Sequence, residues 1–175
     1  GGALELPKCF YHLVSFAFTR EGRPFVQSPD HLVTPPIDIY DHTSGSSSTI
    51  QHRPCKDPHK TLGMMQTPTL TSDGEFNRLR DKIHQLAKLL LPACLSTEVM
   101  WTYIFCSLKP SLCWSAPVAN LSRFQWKRLL SPILPILLNG LGYPRTFPRA
   151  VVYGPIAIGG LGLPVFHTEQ GFSHV

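Results

Sequence analysis

The sequence predicts an α+β chain: a small antiparallel sheet region, then a helical region, then a Gly/Pro-rich tail. Three observations predict it. Residues 1–70 are rich in β-branched and aromatic residues and are punctuated by turn signals. From Ser72 the apolar residues recur at helical spacing. Residues 141–175 carry Gly154-Pro155 and Gly159-Gly160-Leu161-Gly162. The expected division is therefore 1–70, 71–140 and 141–175, with no internal repeat.

In the first part, residues 9–19 read as a half-buried strand in which Phe16 and Phe18 alternate with Ser15, Ala17 and Thr19. Glu21-Gly22 is the turn of a hairpin that returns through Phe25 and Val26. Pro35-Pro36 opens a strand from Ile37 to Tyr40. The run from Thr43 to Ser48 reads as a flexible loop, and residues 49–52 return from it. Residues 61–65 are the last strand candidate.

In the second part, Phe76, Leu79, Ile83, Leu86 and Leu90 define a helix face. Arg78, Lys82 and Gln85, with Arg80, His84 and Lys88, are expected opposite it. Asp73 is the expected N-cap, and Pro92 ends the helix. Ser96 caps the next helix, whose apolar residues from Val99 to Leu108 lie almost all round, as in a central buried helix. Pro110 is expected to stop it. Asn120 is the expected cap of a third helix through Leu130, and Ser131-Pro132 either breaks it or opens a short further helix.

Composition narrows the class. The chain has 175 residues, of which 43% are hydrophobic and 15% charged, against roughly 25% charged in an average soluble domain. Such apolar content excludes wholesale disorder. No apolar run approaches the roughly 18–20 residues of a membrane span, and the first residues lack a signal-peptide pattern, so an intracellular location is expected. The five cysteines include no Cys-x-x-Cys pair and read as mostly buried thiols in a reducing compartment. The net charge of +5 permits an anionic partner.

The catalytic inventory is mostly negative. The sequence contains no Asp-Asp pair, no Gly-x-x-x-x-Gly-Lys loop and no Gly-x-Ser-x-Gly elbow. Gly159 to Gly162 reads as a tight packing turn. His52-x-x-Cys55-x-x-x-His59 has metal-like spacing but supplies three of the four ligands that structural zinc needs, so both a zinc site and an ordinary polar loop stay open. His167 and His174, near Glu169, read as histidines of an ordinary tail. Arg78, Lys82, Lys88, Arg123, Lys127 and Arg128 are candidates to meet phosphates, with a solvated helix face as the alternative. Trp101, Trp114 and Trp126 sit in apolar stretches and read as core, with base stacking as the alternative.

The order of short motifs adds a family. Gly1-Gly2-Ala3-Leu4-Glu5-Leu6-Pro7-Lys8-Cys9 resembles the glycine-to-lysine block that follows the catalytic aspartates of retrotransposon reverse transcriptases of the non-LTR kind. Leu4, Lys8 and Cys9 are in register, and Glu5 replaces the usual Asn. Lys60-Thr61-Leu62-Gly63-Met64 resembles that family's Leu-Gly block, a β-hairpin that grips the primer end. The string Gly142-Tyr143-Pro144-Arg145, Pro148 to Pro155, Gly159 to Leu163 and Glu169-Gln170-Gly171 resembles a C-terminal region of one lineage of retroelement polymerases.

The resemblance implies distal palm, helical thumb and tail. It implies contact with an RNA or DNA primer/template without sequence preference, through Thr61, Leu62, Gly63 and Met64 and through the basic helix of residues 73–91. It implies Lys8 as a candidate general acid toward pyrophosphate. The family's metal-binding aspartates would precede Gly1. The chain begins without Met and is expected to be a fragment or degraded copy, inactive alone. No cofactor is expected of it, since Mg2+ serves an intact parent polymerase, and the N-terminal polymerase portion is a further expected partner. The alternatives are a non-catalytic nucleic-acid-binding module and a retroelement relic with no selected role.

Overall fold

The structure, a computed structural model, describes residues 9–27, 35–41, 45–69 and 71–173. The chain forms two compact units, Gly1–Thr71 and Ser72–Val175. The class is α+β, with small sheets in the first unit and helices in the second.

The strands form three small sheets rather than one. In the first, β1 (Phe10–Tyr11), β5 (Ser46–His52) and β4 (Ile37–Asp41) lie in the order β1-β5-β4. β4 and β5 are antiparallel, with Ile37 opposite Ile50 and Asp38 opposite Thr49, whose hydroxyl donates to the Asp38 carboxylate. β1 pairs with β5 in parallel, Phe10 beside Gln51 and Tyr11 beside His52. Part of the expected Ser-rich loop is therefore strand: Ser46, Ser47 and Ser48 pair with Asp41, Tyr40 and Ile39. Gly45, at a φ of +66°, turns the chain into β5. Thr43 and Ser44 lie outside the described residues.

The expected strand over residues 9–19 is broken at residues 12–14, which separate β1 from β2 (Ser15–Phe18). The break is held by hydrogen bonds away from the ladder. Arg53 N–H donates to the Tyr11 carbonyl, and the Cys55 thiol donates to the Leu13 carbonyl at 2.9 Å. β2 and β3 (Pro24–Gln27) form the expected hairpin, with Phe16 opposite Val26 and Gly22 at a φ of +78° in the turn. Its faces reverse the expectation. Phe16 and Phe18 are 63% and 68% exposed, whereas Ser15 and Ala17 are half-buried. A two-stranded sheet has one layer, and no other described element of this unit covers the phenylalanine face.

The helical unit follows its apolar spacing closely. α1 (Asp73–Leu90) buries Phe76, Leu79, Ile83 and Leu90. Ser72, not Asp73, is the N-cap; Asp73 and Glu75 fall in the first turn, where negative charge complements the helix dipole. α2 (Thr97–Tyr103) starts at Ser96, whose hydroxyl accepts from Val99 N–H.

The helix then continues through Pro110 instead of stopping. A π-helical segment, Ile104–Leu108, leads into α3 (Lys109–Cys113). Pro110 falls in the first turn of α3, where proline is tolerated. The wide π turn has a consequence for packing. Met100, Ile104, Leu108 and Leu112 are buried at four-residue intervals. In a regular helix of about 3.6 residues per turn such a stripe drifts by about 40° at each step. The π turn offsets the drift and keeps the stripe on the core. The helix is thus one-sided, with Val99, Phe105 and Cys106 exposed.

α4 (Arg123–Leu130) is capped by Ser122, not Asn120. Ser122 and Gln125 form a capping box in which each side chain bonds the other's backbone N–H. Asn120 instead donates its own N–H to Ser72 Oγ. Ser131-Pro132 separates α4 from α5 (Leu134–Gly140).

Residues 141–173 are not a separate tail. They form α6 (Arg149–Tyr153), a 3-10 turn (Ile156–Ile158) and α7 (Phe166–Ser173), and Val152, Leu163 and Phe166 are buried in the same core as Leu79, Trp126 and Leu138. Each such large apolar side chain contributes roughly 1.5–3 kcal/mol on burial. Gly159, at a φ of +84°, closes the 3-10 turn, and Gly160 lies directly on the Gly154 carbonyl. The glycine run is thus a close-packed turn. Among the described residues no helix is long and apolar enough to cross a membrane.

Candidate nucleic-acid interface

The strongest expected contact segment is a tight hairpin. β6 (His59–Thr61) and β7 (Met64–Gln66) pair antiparallel, Thr61 opposite Met64, around the two-residue turn Leu62-Gly63. The single strand expected over residues 61–65 is therefore two strands and a turn. Both turn residues have positive φ, 49° for Leu62 and 86° for Gly63, the twist that matches flanking strands. Glycine adopts this freely, whereas a leucine there is strained. Leu62 is 81% exposed at the tip, while Thr61, Gly63 and Met64 are half-buried. Downstream, Thr67 is buried, and its hydroxyl bonds Thr71 and Thr69.

The expected cations divide into two groups. Arg78 and Lys82 do not face solvent with Arg80 and Lys88. They border the buried stripe, because Glu75, Arg78 and Lys82 follow one another at helical spacing beside Leu79 and Ile83. Arg78 makes a two-point ion pair with the buried Glu75 carboxylate, Nε to Oε2 at 2.8 Å. That bond holds the guanidinium above its usual pKa. Lys82 Nζ donates to the Ser111 carbonyl at 3.3 Å, and desolvation with the nearby Arg78 charge lowers its pKa. Both cations are thus engaged by partners within the helical unit.

Lys88, Arg123, Lys127 and Arg128 are exposed. Lys127 and Arg128 lie in the last turn of α4, where positive charge complements the dipole. Arg128 extends over the Phe76 ring at 6.0 Å, which brings the basic turn over the start of α1. None of these four makes an ion pair among the described residues. Arg80, by contrast, lies 3.5 Å from Asp81, and Lys109 pairs with Glu169 at 2.8 Å. Lys8 lies outside the described residues, as does His174.

The tryptophans part company. Trp126 is buried, stacked 5.5 Å from Phe166, and donates its indole N–H to Gln170. Trp101 is half-buried and stacks on Phe105. Trp114 is exposed, so core packing does not account for it. The cysteines also depart from expectation. Only Cys55 is buried, and Cys94 and Cys106 are exposed.

The spaced triad His52, Cys55 and His59 does not converge. Cys55 is tied to the Leu13 carbonyl, and His52 lies against Tyr11, with ring centroids 5.2 Å apart. Among the described residues no group of three or more His, Cys, Asp or Glu side chains is placed to hold a metal. His59 meets His12 instead, at 5.4 Å between centroids, and burial with His12 and Arg53 nearby lowers its pKa. Spacing could not reveal this pair, because the two residues lie far apart in the sequence, one after β1 and the other in β6.

Comparison with family models, with curated proteins and with solved structures finds no match for this chain.

Proposed function

We propose that the chain is a nucleic-acid-contacting portion of a retroelement-type RNA-directed DNA polymerase. It would hold a primer/template by its phosphates and carry out no synthesis alone. The observation that carries the proposal is the set of exposed cations Arg123, Lys127 and Arg128 on α4, none engaged by a carboxylate among the described residues. Exposed cations on one short helix suit phosphate contact without base readout. The ordered sequence blocks supply the family, and the Leu62-Gly63 turn is a hairpin tip whose exposed Leu62 can lie against a strand backbone. Arg78 and Lys82, engaged by Glu75 and the Ser111 carbonyl, take no part in this reading.

The test is fluorescence anisotropy of the purified chain with a labelled RNA/DNA duplex at 50 and 200 mM salt. Binding is expected to weaken steeply with salt, and replacing Arg123, Lys127 and Arg128 together by Glu should remove most of it while reducing the salt slope by about 3. Salt-independent binding, or a triple variant that binds like the original, contradicts the proposal. Primer extension with Mg2+ should give no product from this chain alone. Sustained synthesis would show that the parts assigned elsewhere are not needed.

A further inference from the structure

His12 follows β1 and His59 opens β6, and the two imidazoles come together in the first unit. His12 Nδ1 lies 2.9 Å from the Arg53 carbonyl oxygen. A carbonyl only accepts, so Nδ1 donates, and in the neutral imidazole Nε2 then keeps a bare lone pair. That Nε2 is buried with no hydrogen-bond partner. His59 Nδ1 is also buried with no partner. Two neighbouring imidazoles thus each leave a ring nitrogen unused and shielded from water, which is costly unless something fills the need.

The spacing suits a shared cation. Imidazole nitrogens bind zinc at about 2.0–2.1 Å, so two rings on one tetrahedral ion have centroids about 5.2 Å apart. The observed separation is 5.4 Å, with a tilt of 38° between the rings. We propose that His12 and His59 form a two-imidazole site for a borderline divalent cation of the zinc type. Nε2 of His12 and Nδ1 of His59 are the ligands, and water completes the shell. The supporting contact is in place: an Nδ1–H bonded to a backbone carbonyl is the arrangement that fixes the tautomer and orientation of a ligating histidine. Phe10 packs edge-on against both rings, 5.2 Å from His12 and 4.7 Å from His59, and limits their rotation.

The main opposing charge is Arg53, whose guanidinium lies 4.7 Å from the Phe10 ring centroid. It repels a divalent ion, and two protein ligands hold less firmly than the four of a structural zinc site. A site weaker than structural zinc is therefore expected, and removal of the Arg53 side chain should strengthen it while leaving the backbone carbonyl that orients His12.

The full chain is titrated with Zn2+ by calorimetry and with Co2+ by visible absorption. One equivalent should bind. His12→Ala and His59→Ala should each weaken binding at least tenfold, His52→Ala should leave it unchanged, and Arg53→Ala should tighten it. Histidine NMR spectra of the unaltered chain provide a measure that needs no variant: Zn2+ should shift the ring signals of His12 and His59 and spare those of His52. The proposal is overturned by absence of saturable binding, by shifts confined to other histidines, or by loss in His52→Ala equal to that in His59→Ala.

Discussion

Gln170 Oε1 accepts the indole N–H of Trp126 at 2.9 Å, with both side chains buried. The same carboxamide accepts from Leu121 N–H at 3.2 Å and donates to the Leu121 carbonyl at 3.1 Å. One side chain on α7 therefore satisfies three polar groups at the entry to α4 and on its inner face. It explains why the last helix belongs to the helical core although its own sequence is weakly amphipathic.

Gln170→Leu keeps similar volume but leaves the Trp126 and Leu121 groups without partners. Buried groups left unsatisfied cost roughly 1–3 kcal/mol each, less whatever relaxation recovers, so a loss of about 3 kcal/mol is expected. Urea unfolding should show a lower midpoint with an unchanged slope.

Tyr103 Oη and Ser115 Oγ are buried with no hydrogen-bond partner. Removing an unsatisfied polar atom removes its desolvation cost. Tyr103→Phe and Ser115→Ala should each raise stability by about 1 kcal/mol, read as a higher melting temperature. A loss in both would show that these hydroxyls are satisfied in solution.

Burial raises the pKa of Tyr103 and Tyr153 above the ordinary 10.0. Burial and the nearby Glu169 charge raise Cys113 above 9.0. All three hold their protons more tightly folded than unfolded. Stability is therefore full below pH 9 and falls as pH rises through the ordinary and then the folded values. Thermal melts from pH 8 upward should fall first with Cys113 and then with the tyrosines. The variant Tyr103→Phe, Tyr153→Phe, Cys113→Ala should flatten the decline.

Two turns give opposite predictions. Asn tolerates the left-handed conformation better than leucine, so Leu62→Asn should stabilise the β6–β7 hairpin by about 0.5–1 kcal/mol. If Leu62 also meets a nucleic-acid backbone, the same variant should weaken duplex binding while raising stability. Gly160→Ala drives a methyl group into the Gly154 carbonyl and should cost about 3 kcal/mol. Chemical unfolding separates the two effects.

The periodic segments were legible in the sequence because their information is local. Phe76, Leu79, Ile83 and Leu90 mark α1, Ser96 marks the start of α2, and Gly22 marks the first hairpin turn. The exposed basic turn of α4 was legible too, since Lys127 and Arg128 lie off the apolar face. The partners of Arg78 and Lys82 were not legible, because a side chain at the margin of a helix face goes to whichever partner packing supplies. Here the partners are Glu75 and the carbonyl of Ser111.

Sequence alone determined the order of strand and helix, the class, the cation inventory and the absence of an aspartate pair. Tertiary structure decided the rest. It carried the helix through Pro110 by way of the π-helical segment Ile104–Leu108, which leads into the first turn of α3. It drew residues 141–173 into the core through Val152, Phe166 and Gln170. It also joined His59 to His12 rather than to His52. Spacing along a chain measures distance only within one element, whereas these partners meet by strand and helix packing, which depends on every intervening turn.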